Sequence, residues 1–231
     1  MKTLIFPNDI NYQQSGYPPL RVDKIVESSV NNFFNSPVMD DYFEKSELEN
    51  PLHGYKKLSK VEEDLFDKIS SFSNSEDISD EELINIFHII QMWGGWEGRY
   101  IFVQDGGFEK NFDIETYRTL VSRCLNLEKH RLLDWVNTVS EWTDESNKGI
   151  NRFNTSFSTK HVRFWLYNKL KDYTLPIFDK VIRSGFNNIR GNDLKNNREN
   201  LEFYWKQMIK KSIKEGITLN QLERLLFNYW N

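Results

Sequence analysis

Helix-start signals followed by apolar residues at helical spacing recur along this chain, and they constrain its fold more than any other feature. In the segment SDEELINIFHII, Ser79 and Glu82 fit a capping box. The apolar residues from Leu83 to Ile90 then follow at spacings of three and four, which is typical of one face of a helix. Alternating, strand-like runs are scarce. The sequence therefore predicts an all-α protein.

Four more segments carry helical patterns. Ser59–Glu62 reads as a capping box that opens a helix to about Phe72. FDIETYRTLVSRCL and EKHRLLDWVNTV each predict a helix. In the closing TLNQLERLLFNYW, Thr218 is the predicted N-cap. Leu219, Leu222 and Leu226 form the predicted buried face of this last helix. We expect the helix after Ser79 to end near Gly94 and Gly95.

We read residues 1–231 as a single domain. Pro7, Pro18 and Pro19 predict an extended arm over residues 1–21. The polar GNDLKNNREN stretch predicts a loop between helices rather than a domain boundary. Hydrophobic residues make up 39% and aromatic residues 15% of the chain, which suffices for a real core. Aromatic faces also stack on bases and suit planar ligands.

Composition excludes several classes of site and location. A lone cysteine, Cys124, excludes an internal disulfide framework and a multi-cysteine zinc site. The four histidines show no ligand spacing, so we expect no metal centre. No segment has the length of a membrane span, and MKTLIFPNDI does not read as a secretion signal. We expect a cytoplasmic protein with no membrane partner.

Charge is distributed unevenly although the net value is only -4. From Lys148 to Lys214 there are 15 basic and 5 acidic residues, while the remainder holds 15 basic and 29 acidic. A basic segment of this kind is typical of nucleic-acid contact, although solvated helix faces explain it equally well.

The stretch FSTKHVRFWLYNKLKDYTLPIFDKVI, residues 157–182, carries the candidate chemistry. Ser158 as N-cap predicts a helix from Thr159, with Val162, Trp165, Leu166 and Leu170 along its buried stripe. Lys160 then lies in the first turn and away from the core. The helix dipole there disfavours the charged amine and raises its neutral, nucleophilic fraction. An ordinary surface lysine is the alternative.

Asp179 follows a proline that ends the preceding helix, and it stands among apolar neighbours. We expect it near the start of a new helix, either as an N-cap or as a carboxylate with a chemical role. The two roles are compatible, because one oxygen can cap while the other faces a cleft.

Taken together, "FSTKHVRFWLYNKL…LPIFDKVI" resembles the lysine-and-aspartate region of the helix–hairpin–helix DNA glycosylases, in particular their 8-oxoguanine glycosylase-like branch. The resemblance implies a two-lobed all-α fold with the active site between the lobes, and a hairpin and catalytic segment at about 148–184. It implies Lys160 and Asp179 as the catalytic residues, double-stranded DNA with a damaged or modified base as partner, a monomer, and no cofactor or catalytic metal.

The hairpin expected in that family is rich in glycine, whereas RFNTSFSTK has none. We expect polar and basic side chains to supply the DNA contacts: Asn154, Ser156, Ser158, His161, Arg163, Lys180 and Arg183. Four residues are candidates for the base pocket or for a wedge, with simple packing as the alternative: Trp93, Trp96, Arg99 and Trp230.

The resemblance predicts base excision, with Schiff-base (abasic-site lyase) chemistry at Lys160 and charge stabilisation by Asp179. The base is an oxidised guanine or another modified base, and a base of foreign DNA would point to defence rather than repair. Two alternatives stay open: a catalytically inactive helical DNA-binding or protein-interaction module, and a monofunctional glycosylase in which water attacks.

Overall fold

The computed structural model describes residues 3–8, 58–93, 107–128, 131–150, 153–170, 175–189 and 193–230. Most of these residues lie in helices. The helices are α1 (Leu58–Ser70), α2 (Asp80–Trp93), α3 (Gly107–Asn111), α4 (Ile114–Leu125), α5 (Leu132–Gly149), α6 (Thr155–Trp165), α7 (Tyr167–Leu170), α8 (Lys180–Asn187), α9 (Arg198–Glu215) and α10 (Leu219–Trp230). Within these ranges, β pairing is limited to one isolated bridge between Phe112 and Ile150. The all-α prediction is confirmed for the part of the chain that the structure describes.

The predicted start of α2 is confirmed in atomic detail. The Glu82 amide donates a 3.2 Å hydrogen bond to Ser79 Oγ, which satisfies one of the unpaired amides of the first turn. The apolar residues at helical spacing are buried: Leu83, Ile86, Phe87 and Ile90. The spacing therefore identified the core face of this helix correctly.

The predicted start of α10 is confirmed as well. Thr218 Oγ1 accepts from the Gln221 amide at 3.2 Å, and Gln221 Oε1 accepts from the Thr218 amide at 2.8 Å. This reciprocal pair is a capping box. Leu219, Leu222 and Leu226 are buried, as the spacing predicted.

The capping-box interpretation of α1 is wrong. The helix already includes Leu58 and Ser59, and the Glu62 side chain is buried. It receives hydrogen bonds from Arg163 and Arg224 rather than returning to cap its own helix. The pattern SKVE matched the local motif, but long-range ion pairs with two other helices determine where the carboxylate lies.

Helix α6 lies at the centre of the fold. It packs against α1, α2, α4, α5 and α7. All nine residues from Phe157 to Trp165 are buried, whichever face of the helix they occupy. Five of them are polar or charged: Ser158, Thr159, Lys160, His161 and Arg163. Polar groups buried in this way normally require hydrogen-bonding partners, so this helix depends on contacts with its neighbours.

Of the predicted arm, only residues 3–8 are described, and they lie outside the helices. Leu4 is buried, and the Phe6 ring packs edge-on against Phe186 of α8 with 5.3 Å between ring centroids. The rest of the arm, Gly94 and Gly95 lie outside the described residues. None of the described helices combines the length and the apolar character that crossing a membrane requires.

Candidate functional site

The helix that carries Lys160 begins four residues earlier than predicted. Asn154, not Ser158, is its N-cap, and the Asn154 side chain accepts from the Ser156 and Phe157 amides at 2.9 and 3.3 Å. Asparagine is among the strongest N-cap residues. Lys160 is therefore the sixth residue of α6 rather than the second. Since the dipole effect fades beyond the first turn, the helix dipole does not favour a neutral amine at this position, contrary to the prediction.

Lys160 also lies in the interior and not on an exposed face, because α6 is covered on all sides. Its exposure is 6%, and its Nζ lies 4.7 Å from the centroid of the Phe157 ring. Lysines are seldom buried to this extent, because removing an ammonium from water is costly. The aromatic ring offers an attractive face to the cation. The prediction that Lys160 points away from the core is therefore wrong, because its side chain is buried.

Residues Leu175–Phe178, here called the 175–178 segment, lead into Asp179. Two of their backbone groups are bound by side chains of α6 and α9. The Phe178 amide donates to Thr159 Oγ1 at 3.3 Å, and the Pro176 carbonyl accepts from Trp205 Nε1 at 2.7 Å. Thr159 precedes Lys160 and Phe178 precedes Asp179. A single hydroxyl therefore joins the immediate neighbours of the two candidate residues.

The other two residues of the segment are bound by an ion pair between α6 and α10. The Leu175 carbonyl accepts from Arg163 Nη1 at 3.3 Å, and the Ile177 amide donates to Glu223 Oε1 at 2.5 Å. Arg163 and Glu223 also bond to each other. Each residue of the 175–178 segment is thus bound through a backbone group to a buried side chain from another part of the chain.

The ion pair belongs to a larger buried network. Arg163 also donates to Glu62 Oε1 at 2.5 Å and to Asn220 Oδ1 at 2.8 Å, and Arg224 donates to Glu62 Oε2 at 2.7 Å. Burial would lower the pKa of the Arg163 guanidinium, but Glu223 and Glu62 outweigh it and raise that pKa. Burial opposes ionisation of Glu62 too, yet Arg163 and Arg224 hold its pKa below the ordinary value. Burial raises the pKa of Glu223, although Arg163 and the Ile177 amide favour its charged form. Arg163 and Glu62 therefore form the charged centre of the network, and both carboxylates have an arginine partner.

Asp179 is the N-cap of α8, as the sequence allowed. Its Oδ1 accepts from the Ile182 amide at 3.0 Å, and its side chain is half-buried. Beneath it, the Phe178 ring packs against Tyr204 at 5.2 Å between centroids. Burial raises the pKa of the Tyr204 hydroxyl, and the nearby Glu223 and Asp179 carboxylates add to that shift. Asp179 thus combines a capping bond with a position at the edge of the core.

The predicted DNA-contacting residues divide into two groups. Asn154 and Lys180 are exposed, and Ser156 and Arg183 are half-buried, so these four remain open to contact from outside. The other three were predicted to contact DNA from the surface, but they are buried: Ser158, His161 and Arg163. The buried course of α6 is the reason, because it encloses residues on every side of the helix. The expectation for these three residues is corrected.

Each of these interior residues bonds within the fold. Ser158 Oγ accepts from Thr143 Oγ1 at 3.0 Å. His161 Nδ1 lies 2.9 Å from Tyr117 Oη, which also accepts from Trp165 Nε1 at 3.0 Å. Burial, and to a lesser degree Lys160, holds the pKa of His161 well below its ordinary value. The imidazole is therefore neutral and structural.

The predicted pocket residues show packing contacts where they are described. Trp93 lies edge-on to Phe164 at 5.0 Å between centroids, with the Arg163 guanidinium 5.7 Å from its ring. Trp230 packs on Phe186 at 4.4 Å. Trp96 and Arg99 lie outside the described residues. Both described tryptophans, Trp93 and Trp230, therefore make the core packing contacts that we gave as the alternative to a pocket or wedge role.

Sequence patterns missed the residues that fix the 175–178 segment. Trp205 and Glu223 lie on helices other than the one that Asp179 caps, and no motif links them to Asp179. A glutamate on the apolar side of α10 was the one available signal, since Glu223 follows the buried Leu222. Among the described residues, no group of three or more His, Cys, Asp and Glu side chains is arranged to hold a metal ion.

Comparison with family models, with curated proteins and with solved structures found no match for this chain. The resemblance to helix–hairpin–helix DNA glycosylases accordingly rests on residues 157–182 themselves.

Proposed function

We propose that this protein is a DNA glycosylase that removes a damaged or modified base, with Lys160 as nucleophile and Asp179 as its carboxylate partner. The observation that carries the proposal is the hydrogen bond from the Phe178 amide to Thr159 Oγ1. It links the residue before Lys160 to the residue before Asp179, although the two candidates are 19 positions apart.

Burial of Lys160 is the second support. An amine enclosed at 6% exposure and set beside an aromatic ring is a setting in which a lysine serves as a nucleophile. Asp179 keeps part of its side chain accessible while one oxygen caps α8. A carboxylate offers further lone pairs for a second contact. The local chemistry of both residues is therefore compatible with the proposed roles.

The proposed reaction begins with a base flipped out of the duplex. Once Lys160 has lost a proton, its amine attacks the sugar C1′, and the glycosidic bond breaks with its electron pair leaving on the base, which takes up a proton. Asp179 stabilises positive charge on the sugar and accepts the proton that the attacking amine loses. The C1′–O4′ bond then breaks as a proton moves from the lysine nitrogen to O4′, which gives an iminium between Lys160 and C1′. Strand cleavage follows by elimination of the 3′ phosphate.

Borohydride trapping tests this proposal directly. Duplexes carrying different oxidised or otherwise modified bases are incubated with the protein, and both base release and covalent complex are scored. We expect one class of lesion to give a trapped complex, because hydride reduces the iminium to a stable amine. Lys160→Gln should abolish trapping on that lesion, whereas Lys169→Gln, a partly exposed lysine on α7, should leave it intact. Trapping that survives Lys160→Gln rules out Lys160 as the nucleophile.

Asp179→Asn separates binding from chemistry. The amide keeps an oxygen for the α8 cap but lacks the negative charge, so DNA affinity should persist while base release falls by roughly 100-fold or more. Full base release by Asp179→Asn would remove the electrostatic role. Base release without trapping by the wild type would identify a monofunctional glycosylase, in which water attacks.

A catalytically inactive helical DNA-binding or protein-interaction module is the competing proposal. It is favoured by the capping role of Asp179 and by the interior position of three predicted DNA contacts. That proposal predicts no base release from any duplex of the panel, with or without DNA binding.

A further inference from the structure

We propose that Thr159, Arg163, Trp205 and Glu223 act as positioning residues, which together hold the 175–178 segment and thereby set Asp179 against the Lys160 helix. The expected effect of these residues on base release rests on the proposed function, whereas their effect on the position of the 175–178 segment does not.

The 175–178 segment has no regular secondary structure of its own, so its backbone groups need partners from elsewhere. All four residues obtain them from buried side chains, as described above. These partners come from α6, α9 and α10. A segment held at each residue by side chains of three different helices has little freedom to shift along its length.

Thr159 is the most direct of the four links. Its hydroxyl donates to the Ser156 carbonyl at 2.7 Å and accepts from the Phe178 amide at 3.3 Å. The Thr159 hydroxyl is therefore bonded both to α6 and to the 175–178 segment. The residue is fully buried, so water does not replace these bonds when the hydroxyl is removed.

Trp205 is the second link that can be tested cleanly. The indole is 1% exposed, and Trp205→Phe retains most of its apolar volume while removing the donor to the Pro176 carbonyl. Trp165→Phe is the matched control. That indole is also fully buried and also loses one donor, but its partner is Tyr117 of α4 and not the segment.

The experiment measures amide hydrogen exchange and base release in five proteins: wild type, Thr159→Val, Thr159→Ser, Trp205→Phe and Trp165→Phe. Valine keeps the shape of threonine without the hydroxyl, and serine restores the hydroxyl. We expect the Ile177, Phe178 and Ile182 amides to exchange faster in Thr159→Val and Trp205→Phe. Exchange at these amides should stay at the wild-type level in Thr159→Ser and Trp165→Phe.

On a duplex that the wild type processes, single-turnover base release should fall roughly 10- to 100-fold in Thr159→Val and Trp205→Phe, with DNA affinity unchanged within about twofold. A misplaced carboxylate slows the chemical step without removing a DNA contact. Thr159→Ser should recover most of the rate. A general loss of stability would instead lower the active fraction in every variant, Trp165→Phe included.

Unchanged exchange at the three amides in Thr159→Val and Trp205→Phe overturns the inference. Faster exchange with an unchanged rate of base release overturns the positioning role. If the wild type releases no base from any duplex, the proposed function fails, and the exchange data alone decide whether these side chains fix the segment that carries Asp179.

Discussion

Gly185 of α8 lies directly under the indole of Trp230. A Cβ built on Gly185 would come within 2.0 Å of Trp230 Cδ2, so only glycine allows this close packing of α8 on α10. Such a contact makes Trp230 a packing residue of the interface between the two helices. It leaves a wedge role for Trp230 without structural support.

Gly185→Ala should therefore destabilise the fold by about 1 to 3 kcal/mol, since the added methyl displaces a large ring. Urea unfolding monitored by tryptophan fluorescence measures the change. Ser184→Ala is the control on the same helix, because Ser184 is exposed and should tolerate the change within about 0.5 kcal/mol. Equal midpoints for the two variants would contradict the packing assignment.

Gly216 illustrates a different constraint at the residue scale. It ends α9 at φ 68°, in the left-handed region, and no atom lies within 4 Å of a Cβ placed there. Gly216→Ala should cost about 1 kcal/mol from backbone strain alone, and Gly216→Asn should cost less. Thermal unfolding of both variants checks the order, and an alanine variant as stable as the wild type would be inconsistent with it.

At the scale of elements, the Arg163 network joins α1, α6 and α10. The guanidinium is 2% exposed and pairs with both Glu62 and Glu223. Arg224 also pairs with Glu62, and its side chain is 25% exposed. We therefore expect the two arginines to contribute unequally to the free energy of unfolding. Removing Arg163 takes an ion-pair partner from buried carboxylates, whereas the guanidinium of Arg224 is partly in contact with water.

Arg163→Met should reduce the free energy of unfolding by about 3 to 5 kcal/mol, because the buried Glu223 loses its arginine and the buried Glu62 is left with Arg224. Arg224→Met should reduce it by about 1 kcal/mol. Urea unfolding at neutral pH gives both values. Similar losses for the two variants would mean that the network does not depend on the buried pair.

At the scale of the whole molecule, the buried His161 and the half-buried His88 link stability to pH. Burial lowers the pKa of His88 to about 4 and holds the pKa of His161 well below its ordinary value. His161 Nδ1 lies 2.9 Å from Tyr117 Oη, and the charge of the adjacent Lys160 adds to the lowering of the His161 pKa. Both imidazoles are therefore neutral in the folded state, whereas they gain protons near pH 6.5 once the chain unfolds.

Stability from these histidines is fully present above about pH 6.5 and is lost as the pH falls, because the unfolded state then binds more protons. The free energy of unfolding should drop by up to about 1.4 kcal/mol per pH unit for each histidine between about pH 6.5 and 4.5. Urea unfolding across this range measures the slope, and His88→Leu should reduce it. A flat profile above pH 5 would show that the histidines are not buried as neutral groups.

Local sequence signals identified three helix starts correctly, although at α6 the local cap is Asn154 and not the predicted Ser158. The N-caps at Ser79, Asp179 and Thr218 depend on side chains and amides only three residues apart, and the structure contains all three. The apolar faces of α2 and α10 are buried as their spacing predicted. These features are decided within one or two turns of chain, so a sequence pattern suffices.

Local sequence patterns do not predict how the candidate site is assembled. The sequence by itself determined an all-α chain, the helix that Asp179 caps and the order of Lys160 and Asp179 along the chain. Only the tertiary structure decided that α6 is enclosed on every side, because periodicity describes one helix and not how many neighbours cover it. The same packing buries Lys160, His161 and Arg163. It also brings Thr159 within hydrogen-bonding distance of Phe178, which lies 19 positions further along the chain.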